Sequence, residues 1–387
     1  MTRADKRIYV IVLLCWLSHS GFGGSRVGLS LFALELGASQ ITIGVLMALY
    51  AVFPLMLAVY VGRLADRVGP RLPMLIGTLG VIVGLVLPPL FPSLVTLYAS
   101  ALVLGSTFHF FFITVQGIAG GIGGGKNRSS NFALVGMGFS AASFTGPFVA
   151  GLAIDHLGYK AAFWCLSAFP VIPVLLLWLK PTFLPKPRNR GRIEGTRSAF
   201  ELWRIRPLRN TFIASGIISS AWDLFQFYFP VYGHSIGLSA SAIGVVLGVF
   251  AIATFTIRFL LPGLAKRYSE AQVLTGGIFI AAVAFVLFPF FENPYVLGSV
   301  AFLLGLGVGC GQPMSMSLIY ALSPPGRQAE AAGLRVTANN VTHLIIPVLF
   351  GSLGTAFGYY PVFITNSAML VAGGAMMRRA RIAVPAA

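Results

Sequence analysis

The sequence predicts an all-α membrane protein in which twelve transmembrane helices form two six-helix halves related by a pseudo-two-fold axis. Of its 387 residues, 57% are hydrophobic and only 10% are charged. A soluble protein of this length would need more polar surface to cover its core. Apolar stretches of about 20 residues, the length that crosses a bilayer as a helix, recur along the chain. An internal repeat divides these stretches into two halves.

Hydropathy and turn signals place the predicted spans in order along the chain. The first span follows a basic N-terminus, and because no small-residue cleavage site comes after it, we interpret it as a membrane helix and not as a signal peptide. A basic loop at 62–71 follows the second span, a glycine-rich turn at 120–127 follows the fourth, and a long loop at 180–210 follows the sixth. The predicted spans are 8–34, 39–62, 73–92, 94–119, 129–155, 159–179, 209–234, 239–261, 271–291, 294–321, 328–355 and 359–377.

Lysine and arginine gather on one side of the predicted membrane. Arg26, Arg258 and Arg335 fall inside spans and Lys160 follows the fifth span, whereas every other Lys and Arg lies at a terminus or in a loop after an even-numbered span. By the positive-inside rule both termini are cytoplasmic, and we expect a multi-pass protein of the bacterial inner membrane, with the lipid bilayer as its surroundings. The net charge of +17 does not indicate a nucleic-acid partner, because no basic face is interleaved with aromatic residues.

The repeat has a constant offset of 200 residues. LGASQITIGVLMALY (36–50) matches IGLSASAIGVVLGVF (236–250), and GPFVAGLAIDHLGYKAAF (146–163) matches IPVLFGSLGTAFGYYPVF (346–363). Chance similarity among glycine-rich apolar helices is the alternative, but a single offset joins blocks that lie far apart. Two halves in the same orientation would enclose a cavity. We therefore predict three regions: a first half at 1–180, a Pro-, Gly- and Arg-rich cytoplasmic linker at 181–208, and a second half at 209–387.

The loop GRLADRVGPR (62–71) resembles the signature loop of the major facilitator superfamily, and its place between spans two and three matches that family. The residues that fill the motif are Gly62, Asp66, Arg67, Gly69 and Arg71. The resemblance implies a monomeric secondary transporter with its two halves rocking about a midplane site. It also implies that this loop is a conformational latch, in which Asp66 approaches the positive end of a helix in the opposite half. A simple basic loop that sets topology is the alternative.

Drug antiporters of this superfamily usually carry an arginine three residues before a Gln-Gly pair in the fourth span. Here Gln116 and Gly117 are present, but Ile113 stands at the arginine position. The isoleucine at this position weakens an assignment as a drug/proton antiporter without excluding it.

Polar side chains inside the spans form the candidate site. Asp223 is the one carboxylate that our boundaries place deep in a span, where an ionisable group costs about 2.5–3.5 kcal/mol on insertion scales and usually faces a cavity. Each of four spans carries polar residues that helical spacing places on or near one face. The candidate substrate-binding residues are Arg26, His109, Gln116, Trp222, Asp223, Gln226, Arg335, Asn339 and His343.

We predict an ion pair between Arg26 and Asp223 across the two halves, with His19 near it as a possible proton carrier. Arg335 would then remain free for an anionic substrate group, because a guanidinium suits carboxylate or phosphate. Asp223 could instead be only a structural partner of the arginine, and each histidine could be a packing residue. For Arg258, near the end of the eighth span, we expect a side chain that reaches the membrane surface.

These features favour a secondary transporter for a small organic anion or an acidic amphipathic molecule, coupled to protons. Export of hydrophobic drugs in exchange for protons is the alternative. An enzyme is not expected, since no catalytic constellation is evident, and neither is a metal or cofactor. The segment GGIGGGKN (120–127) nearly matches a phosphate-binding loop, but Asn127 replaces the required Ser or Thr and no strand precedes it.

Overall fold

The structure, a computed structural model, describes residues 6–121, 128–179, 184, 199–264, 267–324 and 327–380. Over these residues the regular structure is helical. The helices of the first half are α1 (Lys6–Glu35), α2 (Gln40–Val68), α3 (Arg71–Leu90), α4 (Leu94–Gly121), α5 (Arg128–Leu157) and α6 (Tyr159–Leu179). Those of the second half are α7 (Arg206–Ser235), α8 (Ala240–Leu264), α9 (Glu270–Leu287), α10 (Pro294–Gly309), α11 (Gly311–Leu322), α12 (Gln328–Phe357) and α13 (Tyr359–Arg379).

The predicted fold class is confirmed, and each of the twelve predicted spans is found as helix. By length and composition, ten described segments are apolar enough to cross a membrane, with α10 and α11 counted as one. Helix α7 is not among the ten, because it carries polar residues such as Asn210, Asp223 and Gln226 along its length. The chain is a multi-pass membrane protein.

The tenth predicted span, 294–321, differs from the expectation because it is broken into α10 and α11 at Cys310. The physical reason is Pro313, which has no backbone N–H to donate to the carbonyl of Gly309 four residues earlier. Helical hydrogen bonding resumes when the N–H of Met314 donates to the carbonyl of Cys310 at 3.1 Å.

The two halves repeat the same packing. In the first half α1 packs on α5 and α6, while α3 packs on α4 and α6; in the second half α7 packs on α12 and α13, while α9 packs on α10 and α13. The turns repeat as well. Gly37 and Gly237 have φ of 78° and 79°, and Gly158 and Gly358 have φ of 84° and 80°. Residues with a side chain rarely adopt this left-handed backbone conformation, so glycine is required at both positions of each pair.

A short 3-10 helix, Ala199–Arg204, lies inside the predicted linker 181–208. Its Leu202 is buried against a cluster of the second half that includes Phe212 and Leu334. Most of the remaining linker lies outside the described residues, so the boundaries between the three predicted regions stay a prediction.

The halves pack closely where α2 begins and α12 ends, and where α5 ends and α8 begins. We call this region, represented by Gly44, Pro147, Gly244 and Pro347, the closed end. A Cβ atom added to Gly44 would collide with the carbonyl oxygen of Pro347, and one added to Gly244 would lie 2.7 Å from the carbonyl oxygen of Pro147. Glycine therefore permits direct backbone contact between the halves at two positions related by the repeat.

Candidate functional site

Asp223 lies at mid-length of α7 between a basic residue of each half. Its Oδ1 is 3.9 Å from Nη1 of Arg26 on α1, and its Oδ2 bonds with Nδ1 of His343 on α12. The side chain of Asp223 is 7% exposed. A carboxylate this far from water is retained only with partners, and these two supply them. We call Arg26, Asp223 and His343 the central triad.

Aromatic rings hold Arg26 in place. Its guanidinium carbon lies 5.6 Å from the ring centre of Phe22 and 5.4 Å from that of Tyr50, within the range of cation–π attraction. The hydroxyl of Tyr50 is in turn hydrogen-bonded to Ser25 at 2.8 Å. Nε of Arg26 is buried and has no hydrogen-bond partner among the described residues, so the guanidinium retains an unused donor beside Asp223.

A cavity of about 40 Å³ opens onto the central triad. This volume holds a water molecule or two and excludes an organic solute. In the conformation described, the space beside the central triad is therefore nearly filled. Besides the triad, the cavity is lined by Met47, Tyr50, Ala51, His109, Phe227, Asn340 and Pro347.

Two further predicted histidines lie in the first half. His109 lines the cavity, and its Nδ1 donates to the carbonyl of Gly105 at 2.9 Å, which leaves Nε2 for the cavity. His19 is surrounded by aromatic rings, among them Phe108 at 5.2 Å and Phe139 at 5.1 Å, and its Nδ1 is buried without a partner in the described part of the chain. His19 does not line the cavity.

The remaining candidates on α4 and α7 lie away from the cavity. Gln116 is half-buried, and Gln226 is 9% exposed, but neither is part of the cavity wall. Trp222 packs edge-on against Phe250 of α8, with ring centres 5.0 Å apart, and so belongs to the core of the second half. The substrate-binding role of all three stays a prediction.

Arg335 and Asn339 form a separate polar cluster with two serines. Nη1 of Arg335 donates to the hydroxyls of Ser215 and Ser315, each at 3.1 Å, and Ser215 donates to Oδ1 of Asn339 at 3.1 Å. Arg335 is 3% exposed and does not line the central cavity. The charges of Arg26 and Asp223 therefore cancel in that cavity, and Arg335, which the sequence predicted to share one site with them, lies apart.

Arg258 does not reach the membrane surface, contrary to expectation. Its Nη1 donates to the hydroxyl of Ser140 on α5 at 3.1 Å, and its Nε points to the carbonyl of Gly309 at 3.4 Å. That carbonyl is the one left without a backbone donor by Pro313. The side chain is drawn inward because it satisfies this carbonyl and bridges the two halves.

The predicted latch is described only in part. Gly62 lies within α2, and the side chains of Asp66 and Arg67 lie outside the described residues. Gly69 ends α2 with φ of 84°. Arg71 donates to the carbonyls of Leu177 and Trp178 at the end of α6, at 3.1 and 3.0 Å, so the contacts of this residue lie within the first half.

Sequence reasoning missed Tyr50, Asn340 and the two serines that hold Arg335. Tyr50 had a usable signal, because it ends the repeated block 36–50 at the place where the second half has Phe250. Within the described residues, no group of three or more His, Cys, Asp or Glu is arranged to hold a metal ion.

The chain matches one family model and is similar to several known proteins. A family model of the Major Facilitator Superfamily matches residues 11–347 and 212–386. Tetracycline resistance protein, class D, of Salmonella ordonez is 26% identical over 318 residues, covering 79% of this chain and 78% of that protein. Multidrug resistance protein MdtG of Dickeya zeae is 21% identical over 381 residues, covering 95% and 92%.

Two solved structures are similar in fold. A bacterial homologue of the human lysosomal transporter Spinster, in an inward-facing and unoccupied conformation, has a TM-score of 0.78 at 14% identity and covers 98% of each chain. A point mutant of the nucleoside transporter NupG has a TM-score of 0.83 at 13% identity, covering 97% of this chain and 100% of the other. At these identities the likeness concerns the fold alone.

Proposed function

Because this chain belongs to the Major Facilitator Superfamily, we propose that it is a proton-coupled secondary transporter that moves an organic solute across the inner membrane by alternating access. One observation carries the proposal, namely the position of Asp223 between Arg26 of the first half and His343 of the second. An ionisable group within a membrane helix usually marks a substrate path or a proton relay. Asp223 also contacts both halves, which would move relative to each other during transport.

The charge on Asp223 determines how strongly the halves attract each other at the centre. Two unit charges about 4 Å apart attract by about 4 kcal/mol at an effective dielectric constant of 20. A proton on Asp223 removes the attraction to Arg26 and leaves His343 as a neutral hydrogen-bond partner. Proton arrival would thus loosen the contact between halves, and proton release would restore it.

The cavity supports an amphipathic solute over a small anion. Its charges cancel, and its wall combines the triad with Met47, Phe227 and Pro347. The tetracycline and multidrug resistance proteins among the relatives are named for drug resistance. We therefore propose export of an amphipathic organic compound in exchange for protons. Transport of a solute with an acidic group is the second candidate, and the buried Arg335 favours it.

The test uses the purified full chain in proteoliposomes with an imposed pH gradient. Tetracycline and a fluorescent lipophilic cation serve as probes, and Asp223→Asn is compared with Glu292→Gln, which changes an exposed carboxylate outside the site. We expect saturable, gradient-driven transport that Asp223→Asn abolishes and Glu292→Gln preserves. Exchange of labelled for unlabelled solute without a gradient should survive in Asp223→Asn, because it needs no net proton transfer.

Two results would contradict the proposal. Gradient-driven transport that Asp223→Asn leaves intact would place proton coupling elsewhere. A flux that never saturates with solute concentration would indicate a channel.

A further inference from the structure

The guanidinium of Arg335 is buried among hydroxyls and an amide. Ser215, on α7, and Ser315, on α11, are both fully buried and both accept from Nη1, while Asn339 lies one turn further along α12. We call these four residues the oxyanion pocket. Burial of a charge without an opposite charge is costly, so a buried arginine is expected to have an anionic partner.

The described carboxylates near this part of the second half are bound elsewhere. Glu201 pairs with Arg327, Asp223 with the other members of the central triad, and Glu270 accepts from Ser317 at 2.7 Å. Among the residues whose side chains are described, Arg335 therefore has only neutral partners.

The hydrogen bonds of the pocket leave donors of Arg335 unused. Each serine accepts from Arg335 and donates onward, Ser215 to Oδ1 of Asn339 and Ser315 to the carbonyl of Gln312. Nε of Arg335 is buried without an acceptor in the described part of the chain, and the hydrogen bonds that Arg335 makes there are donated by Nη1, so Nη2 is unused as well.

The unused side of the guanidinium is the one that binds oxyanions best. The serines fix Nη1, so Nε and Nη2 remain as a parallel pair of donors, which matches the two oxygens of a carboxylate or phosphate. An N–H group of a neutral ligand could not pair with this edge of the guanidinium, which offers donors only.

We propose that the oxyanion pocket binds the acidic group of a transported solute. Arg335 and His343 are eight residues apart on α12, about 12 Å along the helix axis. A solute with its acidic group at Arg335 and an apolar body about that long would reach the central triad. The substrate class is therefore an amphipathic carboxylate or phosphate, and this inference rests on the proposed transport function.

The experiment measures thermal unfolding of the purified full chain in detergent with increasing 4-phenylbutyrate. The neutral 4-phenylbutanamide is the matched ligand, and sodium chloride at equal ionic strength is the control for general salt stabilisation. We expect a saturable rise in Tm with the acid and not with the amide. Arg335→Gln should weaken the apparent affinity for the acid at least tenfold, and Glu292→Gln, which changes an exposed carboxylate outside the site, should leave it within about threefold.

Arg335→Lys and the Ser215→Ala/Ser315→Ala double variant keep the charge and serve if Arg335→Gln does not fold. Both should weaken acid binding several-fold, because each loses the fixed two-donor edge. Equal stabilisation by acid and amide, no saturable stabilisation, or unchanged binding in the Arg335 variants would overturn the proposal. Failure here is distinct from failure of proton coupling, which is read from gradient-driven transport of tetracycline and the lipophilic cation in Asp223→Asn.

Discussion

The carboxylate of Asp155, at the end of α5, accepts a hydrogen bond from the backbone N–H of Ser241, in the first turn of α8, at 2.6 Å. It also accepts from the N–H of Ala240 at 2.9 Å. The first N–H groups of a helix have no partner within the helix, and the positive end of the helix dipole favours a carboxylate there. Asp155 therefore joins the two halves at the closed end through charge-assisted bonds.

The repeat places a weaker version of the same contact on the other side. Thr355 ends α12 at the position equivalent to Asp155, and its hydroxyl accepts from the N–H of Ile41, the equivalent of Ser241, at 2.9 Å. One side of the closed end thus has a carboxylate and the other a neutral hydroxyl. Opening of the closed end must break the hydrogen bonds of both Asp155 and Thr355.

We expect Asp155→Asn to shift the protein toward states in which the closed end is open. A hydrogen bond to a charged group contributes about 1.5–3 kcal/mol and a neutral one about 0.5–1.5 kcal/mol. Spin labels at Leu157 and Phe357, both exposed and equivalent by the repeat, report the separation of the halves. The long-distance population should grow about tenfold or more in Asp155→Asn and only a few-fold in Thr355→Val, and equal effects of the two variants would argue against the role of charge.

Reversal of the charges at Arg26 and Asp223 tests the ion pair between the halves. Arg26→Asp and Asp223→Arg should each lower the thermal stability, because each leaves two like charges near each other in a site remote from water. The double variant should recover part of the loss, with a coupling of about 0.5–3 kcal/mol measured by thermal unfolding of all four proteins. Gradient-driven transport should not recover, because His343 would then face an arginine, and strictly additive losses would show that the pair contributes nothing.

Glycine contacts at the closed end give a prediction with a built-in control. Gly44→Ala should destabilise the closed end, because the added methyl group collides with the carbonyl of Pro347. Overpacking of this kind costs about 1–3 kcal/mol. Gly136→Ala is the control, since nothing lies within 4 Å of the added atom, and alanine is the better helix former. The midpoint of thermal unfolding should fall, and the distance between the spin labels should grow, in Gly44→Ala alone. A similar loss of stability in Gly136→Ala would contradict the role of the contact between halves at Gly44.

The fold could be predicted from the sequence because its strongest signals are local. The lengths of the apolar stretches fix the helices, and the glycines of the repeat, such as Gly37 and Gly237, fix equivalent turns through their positive φ. The break at Cys310 was missed, although Pro313 was visible, because a proline inside a membrane helix kinks it, breaks it or leaves it continuous according to its neighbours.

The site was less predictable, because it depends on how the helices rotate and at what depth residues meet. Arg26 and Asp223 could be paired in advance, since opposite charges deep in two cavity helices have few other partners. His343, the nearest partner of Asp223, could not be distinguished from Arg335, because both lie on one stripe of α12 at helical spacing. Only packing against Ser215 and Ser315 separates Arg335 from the cavity.

Arg258 and Pro313 should be energetically coupled, although neither contacts the central triad. Arg258→Met removes the donor that serves the carbonyl of Gly309, and a buried carbonyl without a partner costs about 1–3 kcal/mol. Pro313→Ala restores a backbone N–H that can bond to the same carbonyl in a continuous helix. In the Pro313→Ala background, the loss of stability caused by Arg258→Met should therefore be smaller, by about 1 kcal/mol in a cycle of four thermal unfolding measurements.

Ser140→Ala separates this effect from the contact between halves that Arg258 also makes. The variant removes the hydroxyl that accepts from Nη1 of Arg258 and leaves the Gly309 carbonyl with its donor. The loss of stability caused by Ser140→Ala should be the same in the native chain and in the Pro313→Ala background. Ser140 takes no part in the backbone hydrogen bond that Pro313 removes. If instead Arg258→Met costs the same in both backgrounds, Arg258 stabilises the protein through Ser140 alone, and the inward position of its side chain has another cause than the missing N–H of Pro313.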